Sequence, residues 1–336
     1  MPAPNAHSGD PFSLESLTSA VNSEPYRPGQ IGASGLFEED SVTTTIVSVE
    51  LRDGKLALVE PSARGGPGET TDDENRRKIP FEVSHYQRDD SIAADEVQNV
   101  REFGTESTLE TIEGRVNRKA QRHARDLTMT LEHQRVGGIK GNVTSKSGKV
   151  LIDLYAAFGI AVPAAVSLEL DSDATNVPGL FQDVVYSVED ALDEQYTGIR
   201  VFTGRDFHKA LWMHPKVRET FVINTGAVLL KQDVPDVFNF GGATWERYKT
   251  GAKATADLGA PYIAANEGRL VVEGVPELFI TRFAPADYNE TVNTPGLPFY
   301  SRAIEKRNGK GYDLEVQMNA ISLCTRPQVL RKLTLT

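Results

Sequence analysis

Cysteine is almost missing from this chain: Cys324 stands alone among 336 residues. One thiol cannot close an internal disulfide, and the scarcity fits a reducing compartment such as a cytoplasm, with Cys324 serving as a small buried apolar side chain. Long apolar runs are missing too. Nothing approaches the ~20 consecutive apolar residues that span a bilayer, and Met1 to Gly9 lacks the basic segment and apolar core of an export signal. The expectation is a soluble, unexported protein with no membrane partner. Positive charge is in deficit, with 36 Lys and Arg against 47 Asp and Glu and a formal net charge of −11. Gripping nucleic acid needs cations that neutralise phosphates, so it cannot be the main work of this surface.

Familiar chemistry is missing as well. His7, His85, His123, His133, His208 and His214 show no H-E-x-x-H or H-x-H spacing, and one cysteine cannot build a thiolate site, so no metal or cofactor is expected. His123 falls on the apolar stripe of a helix, where a satisfied core histidine is expected. Gly32-Ala33-Ser34-Gly35-Leu36 has the start of a nucleophile elbow, but the final glycine is lacking and no strand precedes it, so it reads as a loop. The glycines of Gly137-Gly138-Ile139-Lys140-Gly141 follow a helix where a phosphate loop would precede one. Acidic pairs arise by chance in so acidic a chain, so no general acid or base is nominated and no enzyme is expected. Phe238, Phe240, Trp245 and Tyr248 read as core packing.

What is present is a long amphipathic helix. Ser107 and Glu110 have the spacing of a capping box. Behind them Leu109, Ile112, Val116, Ala120, His123 or Ala124, Leu127 and Leu131 recur at threes and fours, with Glu113, Arg115, Arg118, Lys119, Arg122 and Arg125 on the other positions. The rod predicted over Ser107 to Gln134 is roughly 40 Å long, and Gly137 with Gly138 is expected to close it. The length of the chain permits one large domain or two to three small ones, and 39% hydrophobic and 25% charged residues are globular values.

The other segments arrange themselves around this rod. Met1 to Ile31 is broken by Pro2, Pro4, Pro11, Pro25 and Pro28, and only Phe12 to Val21 can make a short helix. Ser41 to Leu51 is rich in β-branched residues, Asp53-Gly54 is a hairpin signal, and Leu56 to Val59 is the expected return strand. Ser62 to Lys78 is too polar to bury, and Phe81 to Val83 resumes a strand, so Thr43 to Tyr86 reads as a projecting ribbon with a charged tip. Ribbons of two or three strands are marginal alone, which points to a neighbouring subunit beneath it. A second hairpin is predicted from Ile139 to Thr144 and Lys149 to Leu154. Helices follow at Val188 to Gln195 and Asp206 to Met213, the latter stopped by Pro215. Strands are predicted at Ile199 to Phe202, Thr244 to Tyr248, Arg269 to Glu273 and Leu278 to Phe283. Tyr312 to Ala320 alternates apolar and polar residues as a strand that should lie beside or under the long helix, and Val329 to Leu335 ends the chain as a strand. This order is α+β and not a regular parallel βαβ sheet. The charge is uneven: from Tyr300 onward basic residues outnumber acidic ones, which suits either head-to-tail association of copies or a solvated cluster.

The order of arm, polar-tipped hairpin, long helix, mixed domain, alternating strand, Arg326-Pro327 and terminal strand resembles the major capsid proteins of tailed phages. The similarity is to the lambda-type, or E-type, family with the Hong Kong 97-type capsid fold. Local strings carry it: Gly148-Lys149-Val150-Leu151-Ile152-Asp153-Leu154-Tyr155-Ala156-Ala157-Phe158-Gly159 at the hairpin exit, the helix of Phe207 to Val217, Asn289 to Thr294, and Glu315-Val316-Gln317 before Arg326-Pro327. The resemblance covers most of the chain from about Ser41 to the end. It implies an N-terminal arm (1–40), an extended loop (41–90), a peripheral domain on a spine helix (91–154), an axial domain (155–297), and a late peripheral strand returning to the axial domain (298–336).

By the same resemblance the chain is a structural head protein that forms hexamers and pentamers and closes an icosahedral shell around double-stranded DNA, without sequence-specific binding. It would be assembled in the host bacterial cytoplasm and carried in the virion. Scaffolding, portal and decoration proteins are its possible partners, and no scaffolding segment fused before the arm is expected. Charged residues of the ribbon tip, Arg64, Asp72, Asp73, Glu74, Arg76 and Arg77, are the expected inter-subunit contacts. Some relatives crosslink a lysine to an asparagine; Lys55 and Lys78 flank the loop, but no partner asparagine can be assigned and no crosslink is predicted. Maturation on the family's pattern would bend the spine helix and swing the ribbon. Two alternatives differ in kind: a non-viral, encapsulin-like nanocompartment subunit, which would enclose protein cargo, and a soluble α+β hydrolase, which would scatter light as a small oligomer.

Overall fold

The computed structural model describes residues 12–23, 29–52, 76–98, 111–192, 194–225, 234–251, 255 and 259–336. The chain divides into two compact units. The first gathers Met1–Val47, Glu82–Arg135 and Ile280–Ser322, the second Ser48–Phe81, Val136–Phe279 and Leu323–Thr336. Helices and mixed sheets occur in both, an α+β fold as expected.

In chain order the N-terminal part holds helices α1 (Leu14–Ser23) and α2 (Gln30–Ala33), then strands β1 (Glu38–Ser41), β2 (Ile46–Arg52), β3 (Arg76–Glu82) and β4 (Ser84–Ala93). The stretch read as one strand from Ser41 is thus two, broken at 42–45. β1 pairs in parallel with β12 (Phe279–Phe283), whereas β2 pairs with β3 in a separate two-stranded sheet. Sequence could not show β1, since Glu38-Glu39-Asp40-Ser41 is exposed throughout and carries no apolar alternation. Leu56 to Val59 and Asp53-Gly54 lie outside the described residues. The strand that pairs with β2 starts at Arg76, inside the polar run.

The long helix α3 spans Ile112–Lys140, about 44 Å at 1.5 Å per residue. The capping box at Ser107 lies outside the described residues. Gly137 and Gly138 do not close it; helix continues to Lys140, and Gly141 at φ +83° ends it. Gly137 has a packing role: a Cβ there would stand 2.8 Å from the Val143 Cα and 3.0 Å from the Asn142 carbonyl oxygen. The helix therefore needs glycine where the following strand crosses close to its backbone.

In the first unit α3 lies on a five-stranded sheet of order β1-β12-β14-β13, with β4 also paired to β14. Here β13 is Tyr300–Glu305 and β14 is Gly311–Cys324. The predicted stripe, Val116, Ala120, Ala124, Leu127 and Leu131, packs with Leu314, Val316, Met318 and Ala320, alternate residues on one face of β14. Leu17 and Val21 of α1 join the same core, so the arm's helix is seated on its own chain. β4 runs antiparallel to β14 from Gly311↔Ala93 to Ala320↔Ser84. From Val316 onward every β14 residue is buried, which the alternating pattern did not foresee; the polar ones are bonded, Gln317 to Gln87 and Asn319 to His85 and the Pro285 carbonyl.

The second unit holds hairpin β5 (Asn142–Thr144) and β6 (Val150–Asp153), then α4 (Leu154–Phe158), β7 (Val166–Ser167), α5 (Val177–Glu189), β8 (Gly198–Thr203), α6 (Arg205–Met213) and α7 (Pro215–Thr225). After them come β9 (Val237–Phe240), β10 (Ala243–Arg247), β11 (Glu267–Glu273) and β15 (Arg331–Thr334). Its sheet has the order β7-β15-β11-β8-β10-β9. The helix expected at Val188 to Gln195 instead runs Val177–Glu189. Asn176 caps it by accepting the Gly179 N–H, and Pro178 is tolerated in the first turn, where its missing donor would be unsatisfied anyway. Pro215 ends α6 and opens α7 for the same reason. Trp245, fully buried, lies 4.8 Å from Phe181 and 6.2 Å from Phe207 between ring centroids and donates its indole N–H to the Phe240 carbonyl. The aromatic group is core.

Candidate assembly surface

The ribbon is the first element with an unfinished surface. Val47, Val49, Ile79, Phe81 and Val83 are buried, while Ile46, Ser48, Lys78, Pro80 and Glu82 are exposed, the period of two that a one-sided sheet requires. The Phe81 ring rests 6.0 Å from that of Phe158. No third strand joins β2 and β3 among the described residues, and Ile46 is 54% exposed. Pro80 lacks an N–H, which a sheet tolerates only on an edge strand. Of the tip residues, Arg64, Asp72, Asp73 and Glu74 lie outside the described residues; Arg76 and Arg77 open β3.

A second feature escaped the sequence. Glu132 and Arg135, one turn apart on α3, are both buried and both fasten the segment 29–41. Glu132 accepts the N–H groups of Ile31 at 2.8 Å and Gly32 at 3.1 Å. Gly29 makes room, since a Cβ there would lie 2.1 Å from the Glu132 Cδ. Arg135, its side chain wholly buried, donates from Nη2 to Glu39 Oε1 at 2.5 Å and stacks 5.9 Å over Phe37. Buried charges are stable only when paired and hydrogen-bonded, so these contacts hold the segment in register on the helix.

Ionic contacts line the helix further back. Asp90 of β4 takes Lys119 Nζ at 3.1 Å and His123 Nε2 at 3.2 Å. Burial alone would raise the Asp90 pKa, but the Ser91 N–H, Lys119 and His123 hold it below the ordinary carboxylate value. His123 is thus bonded at the edge of the stripe and not enclosed in it. In the second unit Glu267 meets Arg269 at 3.1 Å and Lys140 and Lys332 at 3.6 Å each. Burial would raise its pKa too, and Arg269, Lys140 and the Ala264 N–H keep it lowered. The basic C-terminal residues are largely matched within the chain, Arg302 with Glu290, Lys306 with Asp313 and Arg326 with Glu194.

Residues 13–335 match the family described as phage major capsid protein E. The chain belongs to the phage major capsid protein E family. The major capsid protein of Salmonella phage Felix O1 is 26% identical over 353 aligned positions, covering 95% of each chain. That of Pseudomonas phage KPP10 is 26% identical over 347, covering 96% of each. The crystal structure of a putative capsid protein of a prophage of E. coli CFT073 superposes with a TM-score of 0.59 at 10% identity, over 96% of this chain and 99% of that one. The Hong Kong 97-type capsid fold is thereby established, and with it a structural role in the virion carried out by many copies. A non-viral nanocompartment is not favoured, since the sequence relatives are phage capsid proteins. None of the described helices is long and apolar enough to cross a membrane.

Proposed function

We propose that this capsid protein forms hexamers and pentamers, assembled in the host cytoplasm, that close an icosahedral head around double-stranded DNA. One observation carries the reading: β2 and β3 form a two-stranded ribbon bearing exposed Ile46, with no third strand among the described residues, and such a ribbon is marginal in water unless something covers it. Its one apolar face is already buried within the chain, with Phe81 against Phe158, and a neighbouring copy covers the other face, where Ile46 is 54% exposed. The tip residues Arg64, Asp72, Asp73, Glu74, Arg76 and Arg77 meet opposite charges there, a role of specificity and register more than raw affinity. The extended loop at 41–90, the peripheral parts at 91–154 and 298–336 and the axial domain at 155–297 divide the labour on the family's pattern. Scaffolding, portal and decoration proteins complete the particle. A net charge of −11 suits a wall that encloses DNA without adsorbing it, and the role is structural with no catalysis.

Negative-stain microscopy of the expressed chain tests this directly. Closed shells are expected, and a variant lacking residues 53–75 should stay folded by circular dichroism yet give none. A wild-type chain that stays monomeric at all concentrations and salts would overturn the reading. Nuclease-protected DNA inside particles isolated from infected cells separates a head from a cargo compartment.

A further inference from the structure

Two patches on this chain are exposed, apolar and oppositely rimmed. The first is on the hairpin β5–β6. Val150 is 52% and Leu151 40% exposed, and as neighbours on a strand they point to opposite faces, so both faces of β6 meet water. A hairpin of two strands cannot shelter such residues itself. Lys146 and Lys149, both exposed, stand at its tip.

The second patch is the loop between β12 and β13. Val292 is 62% and Leu297 44% exposed, yet the backbone between them is held rigidly. Thr291 Oγ1 donates to the Ala286 carbonyl at 2.7 Å, and Thr294 Oγ1 to that of Thr291 at 2.8 Å. The Gly296 N–H donates to the Val42 carbonyl, Ser41 Oγ donates to the Gly296 carbonyl, and Tyr300 Oη accepts the Leu297 N–H. Asn293 sits at φ +60°, and a Cβ on Gly296 would lie 2.2 Å from the Phe283 carbonyl oxygen. Holding apolar side chains in water on a backbone this constrained serves recognition, because a preorganised knob loses little freedom on docking. Asp287 and Glu290, both exposed, flank it, Glu290 also pairing with Arg302 of its own chain at 3.4 Å.

We propose that the 289–298 loop of one copy docks on the β5–β6 hairpin of the next, Val292 and Leu297 against the Leu151 face of β6, with the loop's acids towards Lys146 and Lys149. The occupant is a second copy because the matching patch, apolar with the opposite charge at its margin, is on this same chain. Two different patches make a heterologous contact, the kind that propagates around a ring until it closes. The inference rests on the shell reading above and names one of its contacts.

Charge exchange tests it. Lys146→Glu with Lys149→Glu, and separately Asp287→Lys with Glu290→Lys, should each lower the assembled fraction roughly tenfold; all four together should restore it. Oxidation of the double variant Leu151→Cys, Val292→Cys should give an intermolecular disulfide ladder in assembled particles that neither single variant gives. Reversed-charge variants that assemble like wild type, or wild-type-like particles in which the cysteine pair forms no ladder, would overturn the docking while leaving the shell reading intact. Should a charge variant misfold, the cysteine pair alone decides. A wild-type chain that builds no particles defeats the shell reading and this contact with it.

Discussion

Gly137→Ala sets two effects of known size against each other. In the middle of a helix alanine is favoured over glycine by about 1 kcal/mol, so a helix free of neighbours would gain. Here the new Cβ would stand 2.8 Å from the Val143 Cα and 3.0 Å from the Asn142 carbonyl. Both are backbone atoms, Val143 is only 1% exposed, and a carbon–carbon contact relaxes at about 3.5–4.0 Å. The hairpin must therefore move away by about 1 Å or the helix must bend. Overpacking of this kind costs about 1–3 kcal/mol, so a net loss of about 1 kcal/mol is expected. For a unit of this size that lowers the melting temperature by about 2–4 °C. Calorimetry on the unassembled subunit measures the shift, and hydrogen exchange at Val143 and Ile152 shows whether the hairpin loosens. An increase in melting temperature with exchange unchanged would refute the packing argument and return Gly137 to an ordinary, dispensable helix glycine.

Three other outcomes follow from the same structure. Glu267→Gln removes the carboxylate that three cations share, and with Lys140 and Arg269 left partly buried the loss should be about 2–4 kcal/mol in a urea titration. Because the folded pKa of Glu267 is lowered, its stabilisation is complete above the ordinary carboxylate range and disappears as the pH falls through the folded value; a flat wild-type acid profile would contradict it. His208 is wholly buried, with Nε2 at 2.7 Å from the Pro235 carbonyl and Nδ1 at 2.8 Å from Thr203 Oγ1. Burial pushes its pKa down despite the bond to Pro235. The unfolded chain then takes up a proton first, so stability should decline as pH drops below about 6.5, and His208→Gln should remove that decline in pH-dependent melting curves. Cys324 is fully buried with its thiol pushed up to about 12, so it should resist iodoacetamide in the native subunit and react once denaturant is added; rapid native labelling would place it at a surface.

The sequence by itself determined the periodic parts and the family. The stripe from Val116 to Leu131, the alternation along β14, the hairpin around Ser145 to Gly148 and the burial of Trp245 and Cys324 follow from side-chain spacing and hydrophobicity, which are local properties. Only the tertiary structure decided where elements stop and what charged residues do. Gly137 looked like a helix stop because the strand that crosses it is not visible from one dimension, and the start of the Val177–Glu189 helix was missed because Pro178 and Gly179 stand in its first turn, which Asn176 caps by accepting the Gly179 N–H. The burial of Glu132 and Arg135 was hidden for the same reason: whether a carboxylate or guanidinium is buried depends on partners about a hundred residues away in the chain, and pairing over that distance is settled by packing, not by local preference.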